Sequence, residues 1–313
     1  MKVSKNGCKQ KGNGENNMAV AINGLSLGAI YALIALGYTM VYGIAKMLNF
    51  AHGDVIMVGA YMIYTMCNFT WTLGSMPLWL SSLISFIVAV AVCTVLGIVI
   101  EKVAYKPLRG ASPLAALITA IGVSYLLQGI AQLIWGADQR TISILDRLGT
   151  VNIGPYVIKW SAIITVVVGA IIMVCLVLFI KKTRTGRAML AVSEDKGAAQ
   201  MMGINVNKIV SITFAIGSGL ATFASMFYLP ITSVSPTMGA MPGIKAFAAA
   251  VIGGIGSIPG AVLGGVLLGV VEVVCNSISA IASYTTAIEF SLLIVILMVR
   301  PIGLLGKKRR VKV

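Results

Sequence analysis

A short polar segment lies between two mainly apolar stretches near the start of the chain. Asn49, His52 and Asp54 fall within six residues of the sequence LNFAHGD. Ionisable groups in an apolar setting are costly and usually face a cavity or a partner. One hypothesis makes this segment a polar break in a membrane helix, where free backbone groups face the pathway of a solute. The alternative is a capped helix start, because Asn or Asp accepts hydrogen bonds from unpaired N–H groups there.

Two isolated carboxylates, Glu272 and Glu289, lie in the last apolar part of the chain. We expect both side chains at the depth of the membrane interface. In a buried position, each would be neutral or paired with a cation. Together with Asp54 they are the groups that a self-contained, proton- or ion-coupled transporter would use. That class of protein therefore stays open as an alternative.

The sequence lacks the motifs of common catalytic sites. It has no G-x-x-x-x-G-K-[ST] loop for nucleotide phosphates, and a chain with one histidine cannot contain H-E-x-x-H. The five cysteines are widely separated and form no C-x-x-C pair, so no metal site is predicted. We therefore expect a non-catalytic protein that binds no cofactor of its own.

The composition indicates the class of protein that must position these groups. Of 313 residues, 58% are hydrophobic and only 11% are charged, whereas soluble domains carry about 25% charged residues. A helix that crosses a membrane needs about 20 mainly apolar residues. The uncharged intervals are residues 16–45, 55–100, 110–137, 160–180, 209–244 and 246–271. This pattern excludes a soluble enzyme and, despite a net charge of +15, a nucleic-acid-binding protein.

We predict an all-α polytopic membrane protein with about eight to nine transmembrane helices. The predicted spans are residues 18–44, 48–67, 78–100, 111–135, 160–180, 209–230, 243–257, 260–276 and 283–300. The sequence GGIGSIPG at 253–260 is a turn signal inside an apolar stretch. It predicts a short or half-spanning helix near 243–260, broken by Gly and Pro and followed by a return span.

Basic residues gather between the spans, chiefly at 2–11, 102–109, 181–208 and 307–312. Because cytoplasmic loops collect Lys and Arg, the two internal clusters are predicted to be cytoplasmic, and the basic tail 307–313 should join them. The mixed-charge connection 136–159 is then extracytoplasmic. Residues 1–17 form a predicted flexible polar segment, which the count of crossings places outside, against the preference of its lysines. Residues 18–306 are predicted to form one transmembrane domain.

The connection 181–208 carries charges of both signs and is amphipathic, which predicts a helix–turn–helix. Ala198 and Ala199 are small, and Gly203 is a plausible helix C-cap. One interpretation is a solvated connection. The other is a helix that docks in the groove of a partner, since small residues and a turn allow close approach.

Glycines recur in the span after the predicted break. They are Gly256, Gly260, Gly264, Gly265 and Gly269. Small residues four positions apart let helices approach closely in lipid, where van der Waals packing drives association. Pro259 interrupts the first repeat, so the predicted packing face runs from Gly260 onward. Helix packing is preferred here to contact with a solute.

Seven short motifs are distinctive when taken together. They are GYTMVYG at 37–43, LNFAHGD at 48–54, EKVAYKP at 101–107, GRA at 186–188, GIN at 203–205, GIKAF at 243–247 and GGIGSIPGA at 253–261. This set closely resembles the permease subunit of branched-chain amino acid ABC importers. The resemblance spans roughly residues 18–306.

The resemblance implies a division of labour among subunits. Such a permease pairs with a second permease, usually a related but different chain. Two cytoplasmic ABC ATPases and an extracytoplasmic amino acid binding protein complete the system. The ATPases use ATP and Mg²⁺, so this chain is expected to bind neither. The expected location is the cytoplasmic membrane of a bacterium, in contact with lipid and not with nucleic acid.

The resemblance also implies roles for individual residues. The 181–208 connection corresponds to the loop that seats in an ATPase groove, where importers of this broad class carry Glu-Ala-Ala-x-x-x-Gly. Here Gly197 stands in place of the acidic residue. The expected coupling residues are Gly186, Arg187, Glu194, Asp195, Ala198, Ala199 and Gly203. The expected function is ATP-driven import of Leu, Ile and Val by alternating access, and the alternative is the self-contained ion- or proton-coupled amino acid transporter.

Overall fold

The computed structural model describes residues 6–72, 77–142, 149–153 and 156–306. Its helices are α1 (Asn6–Ala45), α2 (His52–Thr72), α3 (Leu78–Ile100), α4 (Pro113–Trp135), α5 (Trp160–Lys182), α6 (Arg184–Glu194), α7 (Lys196–Met201), α8 (Val206–Tyr228), α9 (Ala240–Gly253), α10 (Ile258–Ser277) and α11 (Thr285–Val299). A π-helical turn, Glu101–Tyr105, continues α3, and a 3₁₀ turn, Ala282–Tyr284, precedes α11.

Seven of the described helices are long and apolar enough to cross a membrane. They are α1 from Met18 onward, α3 with its π-helical turn, α4, α5, α8, α10, and α11 with its 3₁₀ turn. Helix α9 is a shorter apolar helix of 14 residues, and α2 has the length of a span but carries His52 and Asp54 in its first turn. The chain is therefore a nearly all-α polytopic membrane protein, as predicted, and the predicted number of spans is reached when α2 and α9 are included.

The predicted break by Gly and Pro is confirmed. Helix α9 ends at Gly253 and α10 begins at Ile258. Gly254 and Gly256 both have a positive φ, of 103° and 92°, a backbone conformation that glycine adopts without the steric cost of a Cβ. Ser257 caps α10, because its Oγ accepts a hydrogen bond from Gly260 N at 3.3 Å. The turn lets α9 and α10 pack side by side in opposite directions.

A short β-hairpin is present that the sequence analysis did not predict. Strands β1 (Thr150–Ile153) and β2 (Tyr156–Lys159) pair antiparallel, with Thr150 opposite Lys159 and Ile153 opposite Tyr156. In the same region, Arg140 and Val234 exchange backbone hydrogen bonds of 2.9 and 2.7 Å. These contacts join the connection before α5 to the connection between α8 and α9.

Helix α1 is the centre of the core. Its residues Ala29 to Leu36 are almost completely buried, and it packs antiparallel against α10. A Cβ on Gly28 would lie 2.8 Å from Val266 Cα, and a Cβ on Gly265 would lie 2.5 Å from Ala32 Cα. The two backbones are therefore in direct contact, which only residues without a side chain permit.

The predicted packing glycines of α10 lie at two interfaces rather than on one face. Gly265 and Gly269 contact α1, the second of them at Gly28. Gly260 and Gly264 contact α9, at Gly253 and Ala249. Helix α10 is thus held between α1 and α9 by backbone-to-backbone packing on both flanks.

The basic connections lie together at one end of the bundle. This "basic end" comprises residues 45–51, 101–112, 181–208 and 300–306. Lys196 Nζ donates a hydrogen bond to Ala45 O at 2.9 Å, and Arg109 is hydrogen-bonded to Asn207. Leu304 N donates to Ile252 O at 2.8 Å, at the end of α9 that reaches the same side. Both internal basic clusters and the chain up to Gly306 therefore share one side.

The first helix begins earlier than expected. Residues 6–17 have a helical backbone, whereas the sequence analysis expected a flexible segment over 1–17. Once a helix is packed, each further residue adds a hydrogen bond at little cost, so α1 extends beyond its apolar part. It does so at the end opposite Ala45, away from the basic end. Residues 1–5 and the basic tail 307–313 lie outside the described residues.

Candidate functional site

Two short helices, α6 and α7, form most of the 181–208 connection. Thr183 Oγ1 accepts a hydrogen bond from Gly186 N at 3.0 Å and caps α6. Asp195 Oδ1 accepts from Gly197 N at 2.8 Å and from Ala198 N at 3.0 Å and caps α7. Such caps typically stabilise a helix by about 1 kcal/mol. The connection is therefore a defined helix–turn–helix rather than an irregular solvated loop.

Helix α7 ends in a Schellman motif at Gly203. Gly203 has a φ of 79°, and its N–H donates to Gln200 O at 2.9 Å. The next N–H, of Ile204, donates to Ala199 O at 3.0 Å. These two bonds satisfy the last free carbonyls of the helix. Gly203 thus directly follows the C-cap residue Met202, and its role is set by backbone conformation.

We expect Gly203→Ala to lower the free energy of unfolding by about 1 kcal/mol, because a Cβ is strained at positive φ. No atom lies within 4 Å of a Cβ built at this position, so steric crowding does not add to this loss of stability. The measurement is the Tm of the purified chain in detergent. Gly122→Ala in α4 is the matched control, since its Cβ also meets nothing within 4 Å and its backbone is helical. Equal Tm changes in both variants would contradict the assignment.

One face of the two helices is anchored on the bundle. Met189, Val192 and Ala199 are buried. Gly186 packs on the end of α5, where a Cβ would meet the backbone of Ile180. Lys196 reaches the last residue of α1, as described above, and partial burial together with the nearby Arg109 lowers the pKa of Lys196. The two helices are therefore fixed to both α5 and α1.

The other face is open and partly apolar. Met201 is 85% exposed, Met202 82% and Leu190 55%. Large apolar side chains exposed to this extent are candidates for contact with a partner. These three residues were not among those predicted from the sequence, although large apolar residues within a charged connection were a visible signal. We call Leu190, Met201 and Met202 the docking face.

The residues predicted for coupling divide between the two faces. Arg187, Glu194, Asp195, Ala198 and Gly203 are exposed, whereas Gly186 and Ala199 are buried. The two buried residues position α6 and α7 within the chain. The exposed five are open to solvent in this chain.

The segment LNFAHGD forms the turn that leads into α2, and two of its polar side chains are bound by other helices. Asn49 Oδ1 accepts a hydrogen bond from Tyr105 Oη in the π-helical turn, at 2.9 Å. Asp54 Oδ1 accepts from Gln128 Nε2 of α4, at 2.9 Å. Asn49, His52 and Asp54 are all buried. Asn49 and His52 both line one small cavity between α1, the turn into α2 and α9, whereas Asp54 faces α4.

His52 is the first residue of α2 and packs against α1. Its ring lies edge-on to Tyr38, with 4.7 Å between the ring centroids. Gly37 makes room for it, because a Cβ there would collide with the imidazole. Among the described residues, His52 Nε2 has no hydrogen-bond partner. A buried nitrogen with unused hydrogen-bonding capacity therefore marks the start of α2.

The first turns of α2 and α9 meet inside the bundle. A Cβ on Gly53 would lie 2.5 Å from Gly239 O and 3.2 Å from Gly243 Cα. Gly37, beside His52, is about two helical turns before the end of α1, so both helices start well inside the bundle. Their N-terminal dipole ends carry partial positive charge. Discontinuous helices of this kind form solute sites in other transporter folds.

A cluster of charged residues links α9, α10 and α11. Lys245 Nζ lies 2.7 Å from Glu272 Oε1 and 3.2 Å from Glu289 Oε2. Tyr31 Oη of α1 donates a hydrogen bond to Glu272 Oε2 at 2.7 Å. Glu289 is only 2% exposed, so the expectation of two carboxylates facing the membrane interface is replaced by a packed ion cluster. Lys245 was not considered as their partner, although it separates two long uncharged intervals.

The comparison with known families identifies the chain. The family described as "Branched-chain amino acid transport system / permease component" matches residues 20–298. The chain belongs to this family. The resemblance found from the sequence motifs is confirmed, and the chain is a multi-pass membrane permease component.

Curated relatives of this permease cover nearly its whole length. The "High-affinity branched-chain amino acid transport system permease protein BraD" of Pseudomonas aeruginosa is 42% identical over 297 residues, which cover 93% of this chain and 96% of BraD. LivH of Escherichia coli K12, of the same description, is 40% identical with the same coverage. The "Ribose import permease protein RbsC" of Haemophilus influenzae is 25% identical and covers 88% of this chain and 82% of RbsC.

Four of the motifs noted in the sequence are adjacent in space. Gly37 contacts His52, Tyr105 binds Asn49, and Gly243 lies against Gly53. The motifs at 37–43, 48–54, 101–107 and 243–247 therefore meet around the start of α2. This junction is the best-defined candidate site in the interior of the permease.

Proposed function

We propose that the chain is the membrane-spanning subunit of an ATP-driven importer of branched-chain amino acids. The observation that carries the proposal is its identity of 42% and 40% with BraD and LivH over 93% of the chain. The names of both relatives state high-affinity branched-chain amino acid transport. The word "import" in the name of the more distant RbsC supports the direction of transport.

The basic end faces the cytoplasm in this proposal. It gathers Lys and Arg from connections that are far apart in the sequence, and cytoplasmic loops collect these residues. The membrane is the cytoplasmic membrane of a bacterium, as suggested by the bacterial relatives. The hairpin β1–β2 and the Arg140–Val234 pair then lie on the outer side, where an extracytoplasmic amino acid binding protein delivers the solute.

In this proposal, partner subunits supply the energy for transport. The sequence has no phosphate-binding motif, so ATP and Mg²⁺ are assigned to two cytoplasmic ABC ATPases. Each ATPase binds the docking face of one permease chain. The large exposed fractions of Met201 and Met202 support this, since an apolar surface of that kind gains free energy when a partner covers it.

Movement of the ATPases is transmitted through the anchored side of α6 and α7. Lys196 links α7 to the end of α1, and Gly186 packs α6 on the end of α5. A displacement of the docking face therefore reaches the core helix of the chain directly. ATP binding would favour one of two states of the permease pair because the ATPase contacts differ between them. This is alternating access.

The solute pathway is proposed at the junction of α2 and α9, next to Asn49, His52 and Asp54. The two helix starts provide partial positive charge, which suits the carboxylate of an amino acid. Apolar neighbours suit Leu, Ile or Val side chains. A second, related permease chain completes the pathway from the other side.

The test is reconstitution in proteoliposomes. The chain is co-purified with its second permease and ATPases, and uptake of labelled Leu, Ile and Val is measured with and without ATP and the binding protein. We expect uptake only when both are present. Uptake by the purified chain alone, driven by an ion gradient, would contradict the proposal and favour the self-contained transporter.

A further inference from the structure

The ion cluster of Lys245, Glu272 and Glu289 contains more carboxylates than cations. Both carboxylates contact the same ammonium group, at 2.7 Å for Glu272 Oε1 and 3.2 Å for Glu289 Oε2. The side chains of Lys245, Glu272 and Glu289 are 9%, 14% and 2% exposed. The cluster is thus largely shielded from solvent, within helices that cross the membrane.

No neighbouring cation within the described residues balances the second carboxylate. The other titratable groups that interact with the cluster are two phenols, Tyr31 on α1 and Tyr228 on α8. Phenols are uncharged near neutral pH. With both carboxylates ionised, the cluster would carry one uncompensated negative charge. Burial of such a charge is strongly unfavourable.

The geometry provides a place for one additional proton. Both carboxyl groups contact the same Lys245 Nζ and therefore lie close together, and Glu289 Oε2 has no hydrogen-bond partner within the described residues. A proton on one of two such neighbouring carboxyl groups removes the repulsion between their charges, as in paired carboxyl groups that share a site. The arrangement then contains one ammonium, one carboxylate and one carboxylic acid, and it is neutral.

We propose that Glu272 and Glu289 share one resident proton, and that this proton and Lys245 together hold α9 against α10 and α11. The proton is taken from the solvent when the chain folds. The cluster attaches α9 to α10 and α11. Because the first turn of α9 meets α2, the cluster also positions the junction of α2 and α9. The inference concerns the folded chain itself and does not depend on which solute is carried.

Infrared spectroscopy tests the proposal directly. The full-length chain, with any partner subunits that co-purify, is placed in lipid nanodiscs at neutral pH with isotope label in the glutamate carboxyl carbons. We expect a label-sensitive band of a protonated carboxyl group. The band should be lost in Glu272→Gln and also in Glu289→Gln, because either change leaves one carboxylate opposite one ammonium.

Two further variants sharpen the test. Lys245→Met removes the cation, so the remaining carboxyl groups should both be protonated and the band should become stronger. Asp138→Asn, at an exposed carboxylate, is the matched control and should leave the band unchanged. Absence of the band in the native chain, or its persistence in either glutamine variant, would overturn the proposal. Neither outcome depends on transport, so failure here is distinct from failure of the proposed function.

Discussion

Gly265→Leu is expected to prevent stable folding of the membrane domain. At this position α10 contacts the backbone of α1, and a Cβ would lie 2.5 Å from Ala32 Cα and 2.9 Å from Ala32 Cβ. Backbone atoms of a buried helix cannot move aside as the end of a flexible side chain can. Overpacking in a core typically costs about 1–3 kcal/mol, and a whole leucine side chain against backbone should exceed the upper value.

The measurement is the yield of monodisperse protein after detergent extraction, together with its Tm. Gly265→Ala adds one carbon and should give an intermediate loss. Gly129→Leu in α4 is the matched control, because a Cβ there meets no atom within 4 Å. If Gly265→Leu were as stable as Gly129→Leu, the direct contact between α1 and α10 would be wrong.

The second large effect is expected at the docking face. A double change of Met201→Glu and Met202→Glu should abolish ATP-driven uptake while the chain folds normally. Both side chains are more than four-fifths exposed, at 85% and 82%, so the chain loses little of its own packing. Loss of a central apolar contact typically costs an interface about 2 kcal/mol or more, which is roughly a 30-fold loss of affinity.

The measurement is co-purification of the ATPases and ATP-driven uptake in proteoliposomes, with Tm as a check on folding. Gln139→Glu adds a charge at an exposed residue of the opposite end and should change none of these. Normal uptake by the double variant, with an intact complex, would reject the docking role. A lowered Tm of the double variant would instead show that the two methionines contribute to the fold.

Most of the membrane helices were predictable because they leave long uncharged intervals, and α11, which carries Glu289, was predictable from its many apolar residues. The break between α9 and α10 was predictable as well, since GGIGSIPG places turn-forming residues in an apolar run. The start of α2 was set too early, at residue 48, because hydropathy does not show that residues 48–51 form a turn. The hairpin β1–β2 was missed because its strands have only 4 residues each, too short for a reliable pattern.

The candidate sites were predictable where the preference of a single residue type determines the local structure. The helix end at Gly203 follows from the conformational preference of glycine. The assignment of Asn49, His52 and Asp54 to the pathway stays a prediction, and the sequence could not show which helix each side chain faces, because neighbouring residues at a helix start point in different directions. The Lys245 cluster joins residues of three helices, and its pairing depends on tertiary packing that local pattern does not contain.

Helix α10 presents glycine to both of its main neighbours, at Gly265 and Gly269 towards α1 and at Gly260 and Gly264 towards α9. Helices normally lock together when the ridges of one fit the grooves of the other, and glycine supplies no ridge. Instead it leaves a notch that the neighbour fills, as Ala32 does at Gly265 and Ala249 at Gly264. A slide of α1 or α9 along α10 would move the neighbour out of its notch and against a larger residue. We therefore expect the three helices to move as one body when a shift starts at the inner surface.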